Sequence, residues 1–327
     1  MKTRYEHMDI ARGIAIILVV LGHCCSKLSG DDMNRVILSF HMPLFFFISG
    51  VFAKKCDINN LYGTIIHKAK TILLPQVLLA ITIAILHMSR YIFAGKSLSE
   101  FNFLYGFRWW FLPTLFACSV IHAILTCAIN LENKIVQRCT LLCTLMAIYV
   151  TLSIYEIPNG AWSKYLKLVP VAFLFYLLGF MFKKQALSIN NIQKSWHGLI
   201  LLLMSPILVC VAQLNSPVKM YISEYGIFPL FLLSSIIGIT IVMMCSKHIM
   251  GGFFHEFGKI SIAVYVWNFL VIGCVNAFLL KVSKIIDVDI NNYKAALNFF
   301  FSIIILYSVS KYSLRYFPML YGQSKQK

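Results

Sequence analysis

Arg12 and His23 stand eleven positions apart in the first hydrophobic segment, DIARGIAIILVVLGHCCSKL. A neutral imidazole takes a proton from a hydroxyl as that oxygen attacks a carbonyl carbon, and a guanidinium grips phosphate oxygens in bidentate fashion. Eleven steps of a helix close almost three turns, so both side chains fall on one face, roughly 16 Å apart along the axis. An Arg within a spanning segment costs roughly 2.5 to 3.5 kcal/mol on insertion scales, which a chain normally accepts only where the residue faces a cavity or a partner. The competing account is an Arg12 that snorkels to lipid headgroups and a His23 that is a satisfied bundle histidine.

The elements that must carry this pair are membrane helices. Of 327 residues, 59% are hydrophobic and 13% charged, with mean hydropathy +0.78, beyond what a soluble core can hide. Apolar runs of about twenty residues cross the hydrocarbon layer as helices whose backbone groups pair internally. Ten occur, near 10–28, 36–54, 71–93, 109–130, 138–155, 166–182, 196–214, 226–246, 260–280 and 295–316. The fold class is therefore all-α: a polytopic integral-membrane helical bundle, one domain over 1–327, with no internal repeat. An even number of spans puts both termini on one side. The excess of basic residues there, among them Lys54, Lys55, Lys68, Lys70, Lys183 and Lys184, makes that side cytoplasmic. The net charge of +17 is met by inner loops and anionic lipid, without nucleic acid. Lys2 and Arg4 ahead of an apolar stretch imitate a signal peptide, but no small-residue cleavage site follows, so the segment stays as the first helix. The ten cysteines show no C-x-x-C pair and no zinc-like spacing, and no metal is expected. Cys24 and Cys25 flank His23, yet neighbouring helical positions point about 100° apart and lipid burial disfavours a thiolate.

The second span reads FHMPLFFFISG from Phe40 to Gly50. With the first helix running outward and the second returning, His23 and His41 are expected at matching depth below the outer face, lining one pocket; a structural interfacial histidine is the alternative for His41. Trp110, in the WFLP element that opens the fourth span, is a pocket-wall candidate because aromatic faces pack on sugars, against the simpler role of a belt residue. Asp9, three residues before Arg12, is placed to orient it and is grouped with the substrate residues. Glu224 is a solvated loop acid or a sugar contact. Glu256 and Lys259 face inward and away from any external substrate.

Asp9-x-x-Arg12-Gly13 with His23, then FHMPLFFFISG, then a basic stretch ending in Leu73-Leu74-Pro75, resembles the amino-terminal signature of the membrane acyltransferase-3 family, in its branch related to fucose O-acetylases. The resemblance extends to a ten-helix core. It implies transfer of an acyl group, commonly acetyl, from cytoplasmic acyl-CoA to a hydroxyl of a glycan or lipid-linked sugar in the inner (plasma) membrane, for O-antigen, capsule or exopolysaccharide. It also implies that Arg12 and His23 are essential and links the basic stretch holding Lys68 and Lys70 to function; on the residues' own terms Arg12, Lys68 and Lys70 are the inner-face cations for the donor phosphates, and His41, Trp110 and Asp9 are grouped with the acceptor. Two positions depart from the pattern: Thr71 stands where relatives often carry Arg, and Asn268 where many carry His. The first bears on how donor phosphates are held and the second removes a candidate catalytic group. A transporter or glycan flippase is the alternative class, and a sensor without catalysis a third. Broken helices and paired repeats, the marks of a transporter, are absent from the sequence.

Overall fold

The computed structural model describes residues 5–25, 31–93, 110–153, 163–188, 194–249, 251–286 and 293–321. Among them the regular elements are helices, and the isolated bridge between Lys219 and Glu224 is the one β pairing. In chain order they are α1 (Glu6–Cys25), α2 (Asp31–Val51), α3 (Leu61–Lys68), α4 (Leu74–Phe93), α5 (Phe111–Ala128), α6 (Lys134–Ser153) and α7 (Ser163–Met181). There follow α8 (Lys183–Ser188), α9 (Lys194–Leu214), α10 (Phe228–His248), α11 (Phe253–Lys259), α12 (Ser261–Ile285) and α13 (Lys294–Tyr316). Eight stretches are long and apolar enough to span a membrane, and the apolar parts of α7 and α9 supply two shorter ones. These ten match the ten segments expected, and the bundle is all-α and polytopic. Short α8 and α11 lie at the basic, inner face.

α1 is the hub, packing against α2, α10, α11, α12 and α13, while α2 seats on α7 and α10. The core between them holds fully buried Ile16, Phe46, Phe175 and Phe231. Large apolar side chains left outward, such as Leu142, Met146 and Tyr149 on α6 and Leu202 and Leu203 on α9, mark the faces that lipid covers. Two reciprocal glycine crossings set the closest approaches. A Cβ on Gly13 would meet the Phe254 carbonyl and one on Gly258 the Asp9 carbonyl, locking α11 onto α1; Gly50 and Gly179 do the same for α2 and α7 against Tyr176 and Phe47. Gly252, at φ 86° in the left-handed region, makes the turn into α11.

The sequence puts the third span at 71–93 with a loop over 53–70, but helix already begins at Leu61 and continues through Ala69–Leu73 as a π segment into α4. Pro75 has no N–H for the Thr71 carbonyl. The wider turn absorbs that missing bond, with Leu74 N–H closing on Ala69. α2 likewise starts at Asp31, five residues earlier than expected. The loop expected near 93–108 falls almost wholly outside the described residues.

Candidate active site

Arg12 lies on α1 near the inner end, half-buried. Its Nη1 donates to Asp9 Oδ1 at 3.2 Å, and its guanidinium sits 4.5 Å above the ring of Phe52, just past the end of α2. Asp9 is 5% exposed. An ion pair one helical turn long, capped by an aromatic face, offsets the cost of a guanidinium at this depth and fixes its direction. The second oxygen of Asp9 faces α11: His255 Nε2 is 3.8 Å from Asp9 Oδ2, and His255 Nδ1 is 3.9 Å from Glu256 Oε1. Lys259 Nζ donates to that same Glu256 oxygen at 2.6 Å, and this bond, chiefly, holds the Glu256 carboxyl below the usual carboxylate range. Glu256 and Lys259 thus lie at the same end of the bundle as Arg12. Sequence reasoning missed His255 and Phe52; the signal for the first was Gly13 and Gly258, mid-helix glycines that a close crossing explains.

At the outer end of α1, His23 is exposed. Phe269 of α12 meets it edge-on with centroids 6.5 Å apart. His41 is buried. Because α2 begins at Asp31, His41 sits ten residues in, about the middle of the helix and deeper than the five residues expected. Its Nδ1 is 2.7 Å from the Ile37 carbonyl, which only accepts, so Nδ1 carries a proton and Nε2 bears the lone pair of the neutral ring.

Trp110 immediately precedes α5 and is half-buried, with its ring 6.4 Å from Phe46 and 6.0 Å from Phe111. Phe111 in turn touches Phe45, Phe46 and Tyr265, so the WF pair, the FFF run of α2 and the start of α12 form one aromatic wall. Asn268, three residues beyond Tyr265, is buried. Glu224 pairs with Lys219 at 3.4 Å in the exposed hairpin before α10. Of the basic pair after α2, Lys68 is half-buried and within electrostatic reach of Lys54, whereas Lys70 is exposed on the π segment. Thr71, in the place of the relatives' Arg, turns its hydroxyl back onto the His67 carbonyl at 2.9 Å. The ten cysteines are all free thiols, and among the described residues no cluster of His, Cys, Asp and Glu is arranged to hold a metal ion.

A bundle of apolar helices built around α1, with an ion-paired arginine near one end of that helix and an exposed histidine near the other, makes this a polytopic membrane protein. The chain matches the acyltransferase domain of the acyltransferase-3 family over residues 5–311 and belongs to that family; it is a multi-pass membrane acyltransferase. No curated protein and no solved structure matches it.

Proposed function

We propose that this protein moves an acetyl group from cytoplasmic acetyl-CoA to a sugar hydroxyl of a cell-surface glycan or its lipid-linked precursor, in the inner (plasma) membrane. What supports the reading is the single face of α1, where Arg12 is held by Asp9 and Phe52 about three turns from the accessible His23. In this mechanism His23 takes the proton of the sugar hydroxyl while its oxygen attacks the thioester carbonyl. The tetrahedral intermediate collapses, the carbon–sulfur bond breaks, and the departing CoA thiolate takes up a proton. Arg12, with Lys68 and Lys70, attracts the donor's phosphates from the inner side, and Asp9 keeps the guanidinium in place. His41, its Nε2 lone pair available, accepts a hydrogen bond from the acceptor, and Trp110 offers an aromatic face to the sugar ring.

The test is incubation of membranes with labelled acetyl-CoA. Label enters glycan with the wild type and fails to enter with His23→Ala at equal protein level. Undiminished transfer by His23→Ala removes His23 from the chemistry, and glycan NMR of wild-type against deletion strains names the acceptor.

A further inference from the structure

At the inner face, the segment after α2, the start of α6 and the α7–α8 turn enclose a pocket of about 650 Å³, within the range of small-molecule sites. Lys54, Lys55, Lys134, Lys183 and Lys184 line it, with Glu132 as the one acid. None of these lysines is ion-paired with a carboxylate among the described residues; Lys183 donates instead to the Ala53 carbonyl at 3.0 Å. Five lysines brought together from three stretches of the chain, against one acid, make the pocket strongly basic and suited to an anion of several charges. One further observation connects the pocket to the site. Ala53 on the pocket rim directly follows Phe52, whose ring underlies Arg12.

We propose that this pocket binds the 3′-phosphorylated ADP head of the acyl-CoA donor, so that Lys54, Lys134, Lys183 and Lys184 hold phosphates while the pantetheine arm passes Phe52 and Arg12 toward His23. The inference rests on the donor named above and relocates most of the phosphate grip from Lys70, which is exposed on another element, to this pocket. The family's arginine is missing at Thr71, and the lysine pocket supplies cations in its stead. An anionic phospholipid headgroup shares the phosphate chemistry, and the apolar rim of Phe180, Met181 and Leu187 gives it a place for acyl chains.

The experiment uses the full-length protein in phosphatidylcholine nanodiscs, titrated with CoA, 3′-dephospho-CoA and acetyl-pantetheine. The variants are Lys54→Gln/Lys134→Gln/Lys184→Gln and the charge reversal Lys184→Glu, with Lys219→Gln in the outer hairpin as control; all are exposed positions, which keeps folding intact. The triple variant is expected to raise the Kd for CoA about tenfold or more, the worth of one charge-assisted hydrogen bond, and Lys184→Glu to raise it too. Dephospho-CoA is expected to bind the wild type more weakly than CoA, and acetyl-pantetheine to bind wild type and variants alike. Wild-type CoA affinity in the triple variant overturns the proposal and leaves acyl transfer standing. If that variant also loses phosphatidylglycerol retained in native mass spectrometry, the pocket belongs to lipid. A wild type that binds no CoA at all sinks both this site and the donor assignment.

Discussion

Asp9→Asn is the sharpest probe of the site, because it keeps the shape of the side chain and one acceptor oxygen while deleting the charge shared by Arg12 and His255. At 3.2 Å the Arg12–Asp9 attraction is about 5 kcal/mol for an effective dielectric of about 20. That figure is an upper bound. The Arg12 side chain is 31% exposed, so solvent screens much of it, and Phe52 still holds the guanidinium after the change. A net loss of about 1–2 kcal/mol remains, equivalent to roughly 5- to 30-fold in donor KM if Arg12 grips the donor. Steady-state transfer of labelled acetyl groups in nanodiscs, with the melting temperature recorded beside it, measures the effect. A double-mutant cycle with Arg12→Lys adds a second criterion. Both changes disturb one contact, so their combined cost must fall short of the sum by at least about 0.5 kcal/mol. A folded Asp9→Asn enzyme with wild-type donor KM, or strictly additive costs in the cycle, refutes the assignment of Asp9 as the group that positions Arg12.

Two further outcomes follow from packing and charge. Gly13→Ala and Gly258→Ala each drive a methyl group into backbone of the facing helix and are expected to cost about 2–3 kcal/mol, read as a lower melting temperature and weaker transfer. Gly22→Ala, whose nearest neighbour would be Ile37 Cγ2 at 3.9 Å, and Gly273→Ala, with nothing within 4 Å, are expected to match or slightly exceed wild-type stability; equal losses at all four sites contradict the crossing. Glu256 has its carboxyl depressed in the folded state, so the stabilisation from Lys259 is present above the unfolded value near 4.3 and is lost as pH falls through the folded value. The pair is partly exposed and contributes under about 1 kcal/mol, so Glu256→Gln lowers the melting temperature slightly at pH 6, and the difference shrinks as pH falls through the folded carboxyl value.

The ten spans were legible because each is a local run of apolar residues, and a bilayer demands just such runs. The Arg12–His23 face was legible for a similar reason: helical periodicity alone relates two residues of one helix. What escaped were relations between distant parts of the chain. His255 reaches Asp9 from a seven-residue helix at the inner face, and nothing in HEFGK signals that partner. The lysine pocket is assembled from three loci, each of which reads by itself as ordinary positive-inside charge. The π segment was hidden because its apolar pattern continues a helix, and only Pro75 hints that a carbonyl upstream must be left without its usual donor.

The packing of α11 gives the inner half of the site its logic. A guanidinium lodged in a membrane span tends to snorkel along its own flexible stem toward water. Here α1 cannot move away from the ion-pair partner, since Asp9 is on the same helix, and α11 cannot move away from α1, since two glycines bring the backbones into contact. The Phe52 ring packs against the guanidinium from the end of α2. Arg12 is therefore confined by a carboxylate, a ring and a helix crossing at once, an arrangement whose ordering cost makes physical sense where an anion must be met at one fixed point. A snorkelling arginine needs none of these constraints, and their convergence on a single side chain favours the role proposed for Arg12 over lipid anchoring.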